Sequence, residues 1–520
     1  MTNALLHAML PPDAINYVGP VVLLTLFAMV LLVLEAFAGL SARTMAQLAL
    51  AATVVTLLVT IDIGVHHRPP APLYFWGNMC VWDGAAKFFD ILFLIVTALV
   101  IWMGYDVQAP AAHGPGEFAI LPLFTTVGLM LLASTNDFIL LFIALELVTI
   151  SFYILVAYHR RSLIALEAGV KYLILGALSS AFLVMGVAYI FGLTGTTRFD
   201  FLWNSFHTDS NPFTPGIAFG LLLVLTGIGF KIAMVPFHSW APDVYEGAPN
   251  SITAFLSVGS KAGGIIILMR VLLGVFDTPA AAYYWVPLLS LCAIASLLLG
   301  NLAAIPQRSV KRMLGYSSIG HTGFMLVAII GGGASIAGHF TPAGPDEITG
   351  QVAVSIYLVS YLLATFAAFI VLAVLERRLP GLEIHNLAGL SQRSPLLAAT
   401  MALALVSMAG VPPLSGFIAK LLVILVAWNR GMYVLLGGVI FAAIAAFYYY
   451  LGPIKAMYWS EPLDPTPIRL NRVTSGVLIT LIILLIGTGV WANSMYPLVN
   501  HSTLISQAAP QGLPVASAGH

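Results

Sequence analysis

The stretch Val235-Pro236-Phe237-His238-Ser239-Trp240-Ala241-Pro242 closes an apolar run that begins near residue 214, and it places two prolines where a membrane helix should continue. Proline removes a backbone donor and clashes with the preceding turn, so the helix must unwind there. A second such stretch, Ala409-Gly410-Val411-Pro412-Pro413-Leu414-Ser415-Gly416, falls inside about thirty residues of otherwise apolar sequence. Backbone groups freed at membrane depth are tolerated only where they are buried in protein or line a hydrated cavity. Two broken helices therefore predict a polar interior within an apolar bundle.

The surrounding sequence fits that reading. The chain has 520 residues, 60% apolar and 8% charged, where soluble domains have about 45–50% and about 25%. A spanning helix needs about 20 mostly apolar residues. Runs such as 21–34 and 477–486 are continuous rather than alternating, which excludes an outer-membrane barrel. The expected fold is an all-α polytopic membrane protein with about fourteen helices. They fall at roughly 17–38, 45–64, 86–104, 118–134, 137–158, 164–193, 214–235, 251–273, 284–304, 312–331, 351–375, 396–428, 432–455 and 474–495. The first segment carries no basic n-region and does not read as a cleaved signal peptide.

Net charge is zero, with 21 basic and 21 acidic residues, so no bulk field recruits nucleic acid or an acidic substrate. Distribution is more informative. Twelve basic residues, from Arg43 to Arg472, fall in one set of alternate loops and three, Arg68, Arg198 and Arg430, in the other. Basic residues stay cytoplasmic, so both termini are expected on the outer side, with the tail from Tyr496 a small-residue extension. The broken helices are the seventh and twelfth spans. An odd offset makes them antiparallel, which predicts inverted five-helix repeats, helices 4–8 and 9–13. The expected segments are an N-terminal three-helix part (1–116), the first repeat (117–273), the second repeat (274–455), and a last helix with its tail (456–520).

Six basic residues remain inside spans: Lys87, Lys171, Lys231, Lys261, Arg270 and Lys420. A charge at the bilayer centre costs about 2.5–3.5 kcal/mol on insertion scales, so such groups mark ion paths or function. Lys87 and Arg270 lie near helix ends and are expected to snorkel to the interface as anchors. Glu146 sits near the middle of the fifth span, Lys231 beside the first break, Lys261 among Gly259, Gly263 and Gly264, and Lys420 beside the second break. Buried lysines and a carboxylate whose separation changes can take and release protons. His238 and His321 titrate near neutrality and could bridge them, or could be hydrogen-bonded packing residues. Lys171, four residues after Glu167, reads equally as a proton-uptake group or as local helix support.

The two cysteines, Cys80 and Cys292, cannot build an iron–sulfur or structural zinc site, and no nucleotide-binding glycine motif is present. The chain moves something rather than transforming it.

Lys231, the stretch 235–249 ending Asp243-Val244-Tyr245-Glu246-Gly247-Ala248-Pro249, Lys261 and the stretch 410–417 together resemble the proton-conducting, antiporter-like membrane subunits of respiratory complex I. The resemblance covers essentially the whole chain. Of the L, M and N types in that family, the L type has a long C-terminal lateral helix with no room here, and the M type has an acidic residue at the second break. Lys420 is the N-type pattern. The resemblance implies a subunit of a proton-translocating NADH:quinone oxidoreductase in a bacterial inner membrane. Glu146 and Lys231 would be its responding charge pair, Lys261 the central relay, Lys420 the outward exchanger, and His238 and His321 parts of the connecting axis. It implies no cofactor in this chain; NADH, FMN, iron–sulfur clusters and quinone would belong to partner subunits, and the M-type and small membrane subunits would be neighbours. The same family includes subunits of multisubunit sodium/proton antiporters and membrane-bound hydrogenases, which stay open as alternatives.

Overall fold

Local capping signals set where the helices begin. Thr214 and Thr278 accept from backbone amides three residues on, each followed by a proline at the first helical position; Ser162, Ser309, Thr349 and Asn471 cap other helices in the same way. The computed structural model describes residues 14–66, 72–107, 116–207, 213–333, 349–379, 382–462 and 464–491. Arg68 and the tail from Tyr496 lie outside the described residues.

The resulting helices are α1 (Ala14–Ala38), α2 (Ala42–His66), α3 (Gly84–Trp102), α4 (Glu117–Ala133), α5 (Phe138–Val156), α6 (Leu163–Thr194), α7 (Pro215–Lys231), α8 (Asn250–Gly274), α9 (Pro279–Ala304), α10 (Val310–Gly332), α11 (Gly350–Glu376), α12 (Pro395–Ala409), α13 (Ser415–Asn429), α14 (Tyr433–Trp459) and α15 (Arg472–Val490). Among the described residues eleven helices are long and apolar enough to cross a membrane, and α4, α7, α12 and α13 are shorter apolar helices. The span expected over 396–428 is thus two helices separated at the second break, and the run ending at 235 stops earlier, at Lys231. A small antiparallel hairpin, β1 (Leu73–Phe75) and β2 (Cys80–Trp82), interrupts the otherwise helical order.

Packing relies on small residues where helices cross closely. A Cβ on Gly300 of α9 would lie 2.4 Å from the Gly320 backbone nitrogen of α10, and one on Gly186 of α6 would lie 2.5 Å from the Gly220 carbonyl of α7. Without a hydrophobic force between helices in lipid, such close approach supplies the van der Waals contact that holds them. α8, α10 and α11 are buried along nearly their whole lengths, whereas α1, α6 and α15 leave most of their surface outside. The interior of this bundle is therefore a triad of central helices, and these carry Lys261, His321 and Tyr361.

Both breaks satisfy their backbone groups locally. At the first, Ala233 has φ of 54°, the Val235 amide donates to Ser296 Oγ at 3.0 Å, and Trp240 Nε1 donates to the Phe230 carbonyl at 2.9 Å. The chain then re-enters helix at Ala241–Gly247. At the second, Gly410 ends α12 with φ of 89°, and the Gly416 amide donates to Ser407 Oγ at 3.1 Å.

Candidate functional site

Lys231, Lys261 and Lys420 are 5%, 2% and 5% exposed, so all three ammonium groups are enclosed by protein. Lys231 is the last residue of α7 and donates to the Thr149 hydroxyl of α5, with the Tyr172 and Phe230 rings 5.9 and 5.7 Å away. Glu146 lies one turn before Thr149 on α5 and is half-buried; it accepts from Ser180 Oγ at 2.5 Å. Glu146 and the hydroxyl that holds Lys231 are thus one turn apart on α5, and each charge is held by a hydroxyl instead of by the other.

The first break connects directly to Lys261. Thr322 of α10 donates to the Ile232 carbonyl, 2.6 Å away, while accepting from Lys261 Nζ at 2.9 Å. Lys261 also donates to the carbonyl and hydroxyl of Ser318, each at 2.5 Å, and Ser318 shares a hydrogen bond of 2.7 Å with Tyr245. A π-helical turn, Leu256–Ser260, immediately precedes Lys261 and leaves its Ser257 hydroxyl bonded to Tyr361 at 2.6 Å. Such turns inside α-helices open backbone groups and recur at functional positions.

From Lys261 the polar line continues across α11. The Tyr361 ring lies 5.4 Å from Lys261 Nζ and 4.8 Å from the His321 ring. His321 contacts Tyr357 at 2.6 Å through Nδ1 and Tyr450 at 3.3 Å through Nε2. His321, Tyr357, Ser360, Tyr361 and Lys420 face one small cavity with room for about one water. Lys420 reaches back across the second break to the Ala409 carbonyl at 2.9 Å and lies 4.8 Å from the Phe324 ring. The sequence places Lys231 and Lys420 alike beside the two breaks; the structure puts Lys231 at the end of the first half-helix and Lys420 inside the second.

His238 differs from expectation. It is half-buried, its Nδ1 has no hydrogen-bond partner, and among the described residues no hydrogen bond joins it to Lys231 or Lys261. Lys171 is more than local support. It pairs with Glu167 at 2.7 Å and with Asp243 at 2.7 Å, and Asp243 and Glu246 in turn bind Arg312 at 2.6 and 3.1 Å. This network ties α6, the re-entering half of the broken helix and the start of α10 together. Sequence reasoning missed Asp243, Arg312 and the tyrosines; the recurrence of Tyr357, Tyr361 and Thr365 every four residues on α11 was the available signal.

The expected anchors do not snorkel. Arg270 is 4% exposed and makes a bidentate pair with Asp83, Nη2 to Oδ1 at 2.9 Å and Nη1 to Oδ2 at 3.1 Å, while Nε donates to the Ala133 carbonyl at 2.6 Å. Lys87 turns inward to the Gly64 carbonyl at 2.7 Å. A buried counter-charge and a buried carbonyl offered better partners than the interface. Lys311 and Arg393, assigned to loops by position, are likewise buried, Lys311 on the Ala248 carbonyl at 2.6 Å.

Residues 135–445, which contain both breaks and all three lysines, match the family model described as NADH:quinone oxidoreductase/Mrp antiporter, TM. A protein of Rhodospirillum rubrum named NADH-quinone oxidoreductase subunit N is 36% identical over 503 residues, covering 96% of this chain and 97% of that one. A chain of respiratory complex I from Thermus thermophilus superposes with a TM-score of 0.76 at 29% identity, over 93% of this chain and 100% of the other. A chain of the Mrp complex from Dietzia reaches 0.81 at 20% identity, over 95% and 97%, which shows the fold alone. With more than half its length matched to the family model and nearly all of it to a subunit N, this chain belongs to the NADH:quinone oxidoreductase/Mrp antiporter family of membrane subunits.

Proposed function

We propose that the chain is the proton-translocating, N-type membrane subunit of a bacterial complex I. The observation that carries this reading is the enclosed polar chain in which the Ile232 carbonyl beside Lys231 is joined through Thr322 to Lys261, and Lys261 is followed by Tyr361, His321 and Lys420. Lysines whose charge is costly in a dry interior, joined by hydroxyls, can pass a proton when their surroundings change. In this reading Glu146 and Lys231 receive the driving signal, Lys261 relays, and Lys420 exchanges protons outward, with Lys171 at the uptake end. His321 belongs to the line; His238 is not needed by it.

The redox chemistry then belongs to other subunits, which hold NADH, FMN, iron–sulfur clusters and quinone, and an M-type subunit and small membrane subunits are the expected neighbours. The two repeats, 117–273 and 274–455, would be related by inversion, and both termini would lie on the outer side of the inner membrane.

Lys231→Ala in the intact complex is expected to abolish most NADH-driven proton translocation in sealed vesicles while the complex still assembles. Full translocation in that variant refutes the assignment. Transport that requires sodium and proceeds without NADH would point instead to the antiporter branch of the family.

A further inference from the structure

Apart from Lys87, the polar residues of α3 follow one seven-residue rhythm: Asp83 at its N-cap, Asp90 and Thr97. Residues seven apart fall on nearly one face, about 10.5 Å from each other along the axis. All three are buried, and their partners differ. Asp83 holds Arg270, and Thr97 bonds Thr126 of α4. Asp90 is 0% exposed, and neither of its carboxyl oxygens has a hydrogen-bond partner among the described residues.

A carboxylate stripped of water and without a donor is among the costliest groups a protein interior can hold, and it is normally neutralised by a proton. The charged groups around Asp90 are few. On its own helix, Asp83 lies two turns away and Lys87 is tied to the Gly64 carbonyl of α2. From α8 there is Arg270, already engaged by Asp83. α4 meets α3 through the Thr126 hydroxyl, bonded to Thr97, and the neighbouring π-helical turn approaches α3 through Gly259 near Val96. The one guanidinium in its neighbourhood is thus committed to Asp83 and the Ala133 carbonyl.

We propose that Asp90 is a proton-binding site outside the lysine line: its enclosed, unpartnered carboxyl carries a proton at neutral pH, Arg270 being engaged by Asp83. This goes beyond the function proposed above and does not depend on it.

The test is infrared spectroscopy of the purified membrane complex at neutral pH, without NADH or quinone. The native complex should show a protonated-carboxyl C=O stretch, shifted in deuterium oxide, that is missing in Asp90→Asn. Loss of a carboxylate band instead would mean that Asp90 is ionised and would overturn the proposal. Should Asp90→Asn fail to assemble, Asp90→Glu must displace the same band; an unmoved band refutes the assignment. Because no turnover is read, failure here leaves the functional reading untouched, and failure of that reading leaves the band in place.

Discussion

Replacing Asp83 by alanine tests whether the buried pair with Arg270 supports the N-terminal helices. The carboxylate does two things. Its Oδ1 accepts the Ala86 amide at 2.8 Å, capping α3, and both oxygens take the Arg270 fork. Loss of a cap costs about 1 kcal/mol, and leaving a buried charge without its partner costs about 3–5 kcal/mol. Asp83→Ala should therefore destabilise the subunit by about 4–6 kcal/mol, a large part of the 5–15 kcal/mol typical of a folded domain. Asp83→Asn keeps an acceptor for the cap and should lose only the ionic share. Arg270→Leu combined with Asp83→Asn removes both charges, so the double variant should be more stable than Arg270→Leu and Asp83→Asn would predict by addition. The assay is the midpoint at which the subunit is lost from the native complex on graded heating. A native-like midpoint for Asp83→Ala, or strict additivity in the double variant, refutes the reasoning.

Gly410→Ala probes the second break. The left-handed backbone of Gly410 costs an L-residue about 1–2 kcal/mol, and the new Cβ would lie 2.7 Å from Lys420 Cδ, pushing the lysine off the Ala409 carbonyl. Proton translocation should fall more than assembly, whereas Gly431→Ala, equally left-handed but open around its Cβ, should cost stability alone. Outside the membrane, the Thr466 hydroxyl and amide, at 2.6 and 3.0 Å, with Arg393 nearby, hold the Asp464 carboxyl below the usual carboxylate range. A depressed carboxyl contributes stability above its ordinary value, about 3.9, and loses it as pH falls through the lower one. The amide protection factor at Ile468, whose N–H donates to the Arg393 carbonyl at 3.0 Å, should hold down to about pH 4 and fall only below it. A protection factor already lost at pH 6 would show that the Asp464 contact does not order the segment.

The spans, the two breaks and the buried lysines were legible because charge is so rare here that each polar residue stands out against the apolar runs. The tyrosines were not, because a phenol counts as apolar in composition while its hydroxyl does the connecting; only their spacing on α11 distinguishes them. Arg270 was misread for a different reason. Position along a helix gives depth, but its partner Asp83 lies 187 residues away in sequence, and nothing local reveals a counter-charge that the fold supplies. Asp243 and Arg312 were hidden in the same way, each near a helix end where solvent exposure was the simpler expectation.

The placement of the two lysines beside the breaks has a mechanical consequence. Lys420 is held by the carbonyl that ends its own preceding half-helix, where the helix dipole concentrates negative charge, so its environment is built within one broken span. Lys231 is itself the end of a half-helix, and its ammonium depends on Thr149 of a different helix, α5, which also carries Glu146. A rotation or shift of α5 thus changes the carboxylate and the hydroxyl that surround Lys231 together, while the Ala409–Lys420 contact has no member on that helix. Between them, Lys261 is tied through Thr322 to the very carbonyl that follows Lys231. Displacement at the first break is therefore transmitted to the central lysine through one shared hydroxyl, whereas the second break is reached only through aromatic rings and a cavity. Sensitivity to motion should decline along the line, greatest at Lys231 and least at Lys420.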